Sequence, residues 1–303
     1  MKPGPGTGGK PVVGVTHVPA PLGEIEQLPE GTVASPSICV RGVSGSGKTT
    51  GITHLMEAGF NVLYTDVENK AQQVVRYRPL IVSISKPVEN KATGVKSPPT
   101  VRQKYERLWE FVDKLGEGGY TEHNGKPIDL IAGDGITEVM EIIKDYQMAN
   151  MPRAASTGSK DTHELYRRIG DEGIRFLGAV KDAAGTACLL AGMRPVGQYW
   201  TVVETFDLET RSYPLDLPGN LTGKKLPTKF EAVLHLGVRK DTDGRAVYVC
   251  SSVGEEGVFE AKAPGGVLAP EEFQWNMADI FKQLQEAYRQ MAGKEDKDGD
   301  ERR

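Results

Sequence analysis

Apolar residues along the chain alternate between short unbroken runs and longer stretches spaced at helical intervals. The run "SPSICVRGV" (35–43) reads as a strand, and "TTGITHLMEA" (49–58) behind it has helical spacing with Gly59 as its C-cap. "FNVLYTDVE" (60–68) is a second strand. "VRQKYERLWEFVDKL" (101–115) places Val101, Tyr105, Leu108, Trp109, Val112 and Leu115 on one helical face, and "HELYRRIGDEGIRFLGAVKDA" (163–183) behaves similarly. "PIDLIAGDGIT" (127–137) and "GTACLLAGM" (185–193) supply two further strands. Strands alternating with helices predict an α/β fold with a mainly parallel sheet. Beyond residue 195 the pattern changes: "FEAVLHLGVRKDTDGRAVYVCSS" predicts a hairpin turning at Asp241 to Gly244, and "PEEFQWNMADIFKQLQEAYRQM" a long amphipathic helix opened by Pro270.

The first strand and helix are joined by "GVSGSGKTT", that is Gly42, Val43, Ser44, Gly45, Ser46, Gly47, Lys48, Thr49 and Thr50. A glycine-rich loop between strand and helix lets backbone N–H groups surround phosphate oxygens. A lysine at this spacing reaches the β and γ phosphates, and the following hydroxyl ligates magnesium. The helix N-terminus adds positive partial charge. The loop therefore predicts ATP and Mg2+ as cofactors, with Lys48 a catalytic as well as a binding residue. The metal also needs a carboxylate from a neighbouring strand end, and Asp134 in "LIAGDGIT" fills that role beside Thr49; the alternative is a capping residue. Gly135 carries no carboxylate, so a base must come from elsewhere. Asp66 and Glu68 stand at the end of the second strand, and Glu68 is the candidate base that polarises the attacking water, against the alternative of a solvated loop acid.

The order "GVSGSGKTT", "YTDVEN", "LIAGDGIT", "LLAGMRP" and "PLDLPGNLTGKKLPTKFEAVLHL" resembles the RecA-type ATPase core, and more closely the phage-encoded RecA-like single-strand annealing proteins of the Sak type, over residues 36–255. The sequence departs from that pattern in two places. Gly135 stands where a Ser or Thr commonly follows the Asp, and Arg194 stands near the expected polar γ-phosphate sensor. The resemblance implies a RecA-like P-loop NTPase core, DNA-dependent ATP hydrolysis, single-stranded DNA as partner, a homo-oligomer in which a neighbour's cation completes the site, and a single-strand binding protein as a further partner. Lys224, Lys225, Lys229, Arg239 and Lys240 are the candidate cations.

Charge sharpens the DNA expectation. The chain is net acidic, at -4, so a polyanion site has to be local. Residues 70–104 hold Lys70, Arg76, Arg78, Lys86, Lys91, Lys96, Arg102 and Lys104 against the single acid Glu89. This basic insertion reads as a phosphate-contacting patch with Tyr77 as a stacking platform, or as a solubilising surface. Loops 149–163 and 194–204 offer Arg153, Lys160, Tyr199 and Trp200 as further DNA contacts, with Trp200 also readable as a packed aromatic.

The expected organisation is a Pro/Gly-rich arm (1–36), an ATPase core (37–255), a C-terminal helical segment (256–292) and a charged tail (293–303). The amino-terminal residues lack the apolar stretch of a signal peptide and no run reaches membrane-spanning length, so a cytoplasmic protein is expected. The three cysteines lie far apart in apolar runs, which suits reduced core residues. The five histidines show no metal-ligand spacing. Two other classes share the loop: a small-molecule kinase, for which no arginine-rich lid is evident, and a binding module that ATP gates without turnover.

Overall fold

The computed structural model describes residues 35–151, 161–190, 196–218, 225–256, 258–264, 267, 268 and 272–300, with side chains excepted at 186–190 and 291–300. The expected arm and tail fall almost wholly outside the described side chains, as do Arg153, Lys160, Arg194, Lys224 and Pro270.

Eight strands form one sheet. They are β1 (Ser37–Gly42), β2 (Val62–Asp66), β3 (Leu80–Ser83), β8 (Leu130–Asp134), β9 (Gly197–Val203), β10 (Ala232–Lys240), β11 (Ala246–Ser251) and β12 (Phe273–Gln274). Two-residue ladders outside it pair β4 (Val88–Glu89) with β5 (Lys96–Ser97) and β6 (Glu122–His123) with β7 (Lys126–Pro127). The order across the sheet is β12-β11-β10-β1-β9-β8-β2-β3; every pairing from β3 to β10 is parallel, and the last two are antiparallel. The phosphate-loop strand β1 and the Asp134 strand β8 are thus separated by one strand, β9. The architecture is that of a RecA-like P-loop fold with a carboxyl-terminal hairpin and long helix.

Side chains alternate between the two faces of the sheet. Ile38, Val40, Tyr64, Ala132, Tyr199 and Leu234 pack with α1 (Lys48–Glu57) and the carboxyl-terminal α5 (Met277–Asp300). Cys39, Leu63, Ile131, Trp200 and Val233 face α2 (Val101–Gly116), α3 (Ile136–Asn150) and α4 (Thr162–Leu190). α2 starts where its sequence dictates: Thr100 Oγ1 accepts from Gln103 N at 3.2 Å and Gln103 Oε1 accepts from Thr100 N at 2.9 Å, a complete capping box. Its buried face holds Phe111 beside Leu108, Val112 and Leu115, whereas Val101, expected inside, is exposed in the first turn.

Three sequence expectations need correction. The run 185–193 does not form the last core strand: α4 extends to Leu190, and β9 is built from 197–203. Loop 194–204 is therefore largely a central strand, with Tyr199 and Trp200 fully buried and unable to meet DNA. The long helix begins at Met277, not at Pro270, because Phe273 and Gln274 pair with β11 and Asn276 Oδ1 accepts from Ala278 N at 3.1 Å at the helix entry. The hairpin turn lies where expected: Asp241 Oδ1 accepts from Asp243 N and Arg245 N at 2.9 and 2.8 Å.

Candidate functional site

The carboxyl ends of β1, β2, β8 and β9 meet at one edge of the sheet, the edge at which α/β folds place their ligands. From β1 the chain enters the phosphate loop, and α1 begins at Lys48 with no side chain capping its first turn. The first-turn N–H groups of a helix lack intrahelical partners and suit an anion. Ser46 Oγ is buried with no hydrogen-bond partner among the described residues. Lys48 Nζ donates to the carbonyls of Gly42 and Val43, both at 2.8 Å. Burial lowers the pKa of Lys48, while the charges of Asp134, Glu204 and Glu68 pull it back up. An orphaned hydroxyl, a buried ammonium resting on neutral carbonyls and an uncapped helix start form a cradle that fits phosphate.

One helix, α1, and two strands, β9 and β2, bring hydroxyls to Asp134. Thr49 Oγ1 donates to Asp134 Oδ2 at 2.8 Å, Thr201 Oγ1 donates to Oδ1 at 2.7 Å, and Tyr64 Oη lies 3.4 Å from Oδ2. Burial pushes the Tyr64 phenol well above its ordinary range, with the Asp134 carboxylate adding to the effect, so it stays a donor. The oxygen pair Thr49 and Asp134 suits a hard ion such as Mg2+, which takes one or two carboxylates and completes its shell with phosphate and water. Among the described residues no group of three or more His, Cys, Asp or Glu could hold a metal without such help.

Asp66 and Glu68 occupy different environments. Asp66 is buried and structural: its Oδ1 accepts from Lys70 N at 2.8 Å and its Oδ2 from Ser83 Oγ at 3.1 Å. Glu68 lies beyond the strand end, against Gly135, where a Cβ would stand 2.7 Å from Glu68 Oε1. Gly135 has φ 105°, so the absent side chain serves both the backbone conformation and the approach of Glu68. Glu68 also pairs with Lys70.

With the site in place, the chain can be set beside known proteins. No family model and no curated protein matches the sequence. Similar solved structures include a prototypical ATPase from the type III secretion system of pathogenic bacteria, at 11% identity and TM-score 0.40, covering 69% of this chain and 54% of that one. The assembled ATPase EscN of enteropathogenic E. coli is similar at 15% identity and TM-score 0.37, covering 67% and 43%. EscN in complex with its central stalk EscO gives 13%, 0.41, 69% and 44%. The chain thus spans about half the length of these structures or less. Likeness at this level carries nothing about substrate or partner.

Four residues at the site escaped the sequence reading: Tyr64, Thr201, Glu138 and Glu204. Thr201 and Glu204 were hidden by the misplaced strand. Glu138, in the first turn of α3, also lies against Gly135, and burial raises its pKa, with the charge of Glu68 a further cause. Glu204 is buried with Arg41 and His235: Arg41 Nε pairs with its carboxylate and His235 Nδ1 lies 3.1 Å from Oε2.

The basic insertion is less free than its charge count implied. Leu80–Ser83 inside it is the edge strand of the main sheet. Arg76 pairs with Glu57 and Arg102 with Glu106, both acids from outside the segment, and Lys96 lies 3.9 Å from Glu89. Tyr77 has the Arg76 guanidinium over its ring at 4.6 Å and its hydroxyl bonded to Glu57. Lys86 and Lys91, on and beside the β4–β5 hairpin, are exposed with no ion-pair partner among the described residues. Of the candidate trans-acting cations, Lys225 lies 3.7 Å from Asp171 and Arg239 pairs with Glu272 at 2.8 Å, while Lys229 and Lys240 are exposed. No helix among the described residues is long and apolar enough to cross a membrane.

Proposed function

We propose that this protein is a Mg2+-dependent ATPase that binds single-stranded DNA and acts in recombination or annealing, of the phage RecA-like kind its motif order resembles. The observation that carries the reading is the meeting of three distant segments: Thr49 on Asp134 at 2.8 Å, Lys48 held at the loop carbonyls, and Glu68 lodged against Gly135 beside that pair.

In this reading Lys48 exchanges its carbonyl partners for β and γ phosphate oxygens. Thr49 and Asp134 would hold the magnesium, which when bound offsets charge on those same oxygens. Glu68 takes a proton from a water whose oxygen forms a bond to the γ phosphorus. The bond from that phosphorus to the β–γ bridging oxygen breaks, releasing ADP and inorganic phosphate. Tyr64 and Thr201 keep the Asp134 carboxylate aimed at Thr49. The exposed lysines of the hairpin contact the DNA backbone, and a neighbouring copy supplies the further cation that an ATPase of this class uses.

The test is steady-state ATP hydrolysis with and without single-stranded DNA, with Lys48→Ala as the blank. Stimulation by DNA is the expected result. Hydrolysis indifferent to DNA would redirect the search to phosphoryl acceptors and a kinase, and nucleotide binding without hydrolysis would make the protein an ATP-gated binding module.

A further inference from the structure

The candidate base and the first cation of the basic segment are ion-paired to each other. Lys70 Nζ meets Glu68 Oε2, with the Glu68 side chain 15% exposed and that of Lys70 51% exposed. The turn between them is built rather than incidental. Asn69 adopts the left-handed conformation at φ 61°, and the Lys70 amide is fastened to the buried Asp66 carboxylate at 2.8 Å. That anchor fixes the backbone on both sides of Asn69 and folds the lysine back over the glutamate.

From this arrangement we infer that Lys70 is a positioning residue that restrains Glu68 until a polyanion draws the lysine away, and so couples DNA binding to hydrolysis; this rests on the reading of Glu68 as the base. Three observations support it. First, the Lys70 ammonium occupies Glu68 Oε2, an oxygen that would otherwise be open to the proton of the attacking water. Second, the lysine end of the pair is half in solvent, where a competing phosphate can reach it. Third, Lys70 opens the stretch that carries the exposed Lys86 and Lys91, so the restraint and the proposed DNA-binding lysines lie on one continuous segment. Asp134 and Glu138 also act on the Lys70 charge, and Lys48 opposes it through the same field. Lys70 thus sits within the electrostatic reach of the whole site while keeping its tip accessible.

The experiment compares wild type, Lys70→Met, Lys70→Gln and Lys70→Arg in steady-state ATP hydrolysis with and without a single-stranded oligonucleotide. Thermal melting selects whichever neutral variant is folded. Loss of the restraint raises kcat without DNA by roughly fivefold, the scale on which an exposed ion pair biases an equilibrium, with KM for ATP unchanged. The stimulation ratio falls towards one, and Lys70→Arg behaves as wild type. An unchanged basal rate with full stimulation overturns the inference and leaves the ATPase reading standing. A fall in kcat rescued by arginine also overturns it, since Lys70 would then act on the phosphates directly. A wild type that hydrolyses nothing under either condition removes the ATPase reading itself and the restraint with it.

Discussion

The phosphate loop is held from behind by the folded core. Tyr199 Oη, buried in the central strand, donates to the carbonyl of Lys48 at 2.6 Å, and Trp275 Nε1 donates to that of Gly47 at 3.3 Å. The turn carrying Glu68 is anchored at Asp66 and at the buried Val67, and beyond them Glu68 is held by an ion pair to the half-exposed Lys70. In the proposed reading, nucleotide capture falls to the loop braced by these two hydrogen bonds, and the chemical step to the turn whose outer half is held by an ion pair. Pre-organisation lowers the cost of binding, whereas a weakly held base gives a partner something to control.

The largest effect that separates loop from turn is expected from Glu68→Gln. Nucleotide affinity should hold, while kcat falls roughly 100- to 1,000-fold, within the range of general-base catalysis; rapid-quench turnover beside a fluorescent-nucleotide titration checks it, and an undiminished kcat rules Glu68 out as the base. Lys48→Ala should abolish turnover and, unlike Glu68→Gln, also weaken nucleotide binding by about 100-fold as its charge-assisted hydrogen bonds to phosphate disappear; calorimetric titration with ATP and Mg2+ reads this. Trp275→Phe removes the donor to Gly47 together with the part of the indole that packs against Gly51. It should cost roughly 1–3 kcal/mol of stability in denaturant unfolding and leave kcat alone, and a large kcat loss would mean that this bond serves the chemical step as well as the shape of the loop. Smallest is replacement of Lys86 and Lys91 by Gln: each DNA phosphate that is no longer neutralised should flatten the salt dependence of single-stranded DNA binding by about 0.7 in log–log slope. An unchanged slope would return the hairpin to plain solvated surface.

What could be read from sequence follows from how local each signal is. The phosphate loop, the Asp134 strand end and the 241–244 turn are short-range features whose residues fix their own geometry, and each lies where its residues placed it. The strand between β1 and β8 was not legible, because a short apolar run such as 185–193 fits a buried strand or a buried helix equally well. Its assignment depends on a distant fit. Gly133, which interrupts the apolar run of its strand, lies beside Trp200 in register, and any side chain there would overlap the indole. Trp200 of β9 fills that space. The charge of the 70–104 segment was legible, but not its neutralisation, since Glu57 and Glu106 come from flanking helices.

Arg41 has a consequence for the order in which the molecule can be made. It lies in the first described strand, with its side chain buried beside Glu204, and its guanidinium donates to the carbonyls of Glu260 at 2.9 Å and Tyr213 at 2.6 Å. Both neighbours of β1 in the sheet, β9 and β10, also come from the later half of the chain. During synthesis the strand that leads into the phosphate loop emerges early and must wait, its cation unburied, until residue 260 has cleared the ribosome. A nascent chain arrested before residue 197 has a phosphate loop in its sequence and neither strand partner of β1 to shape it.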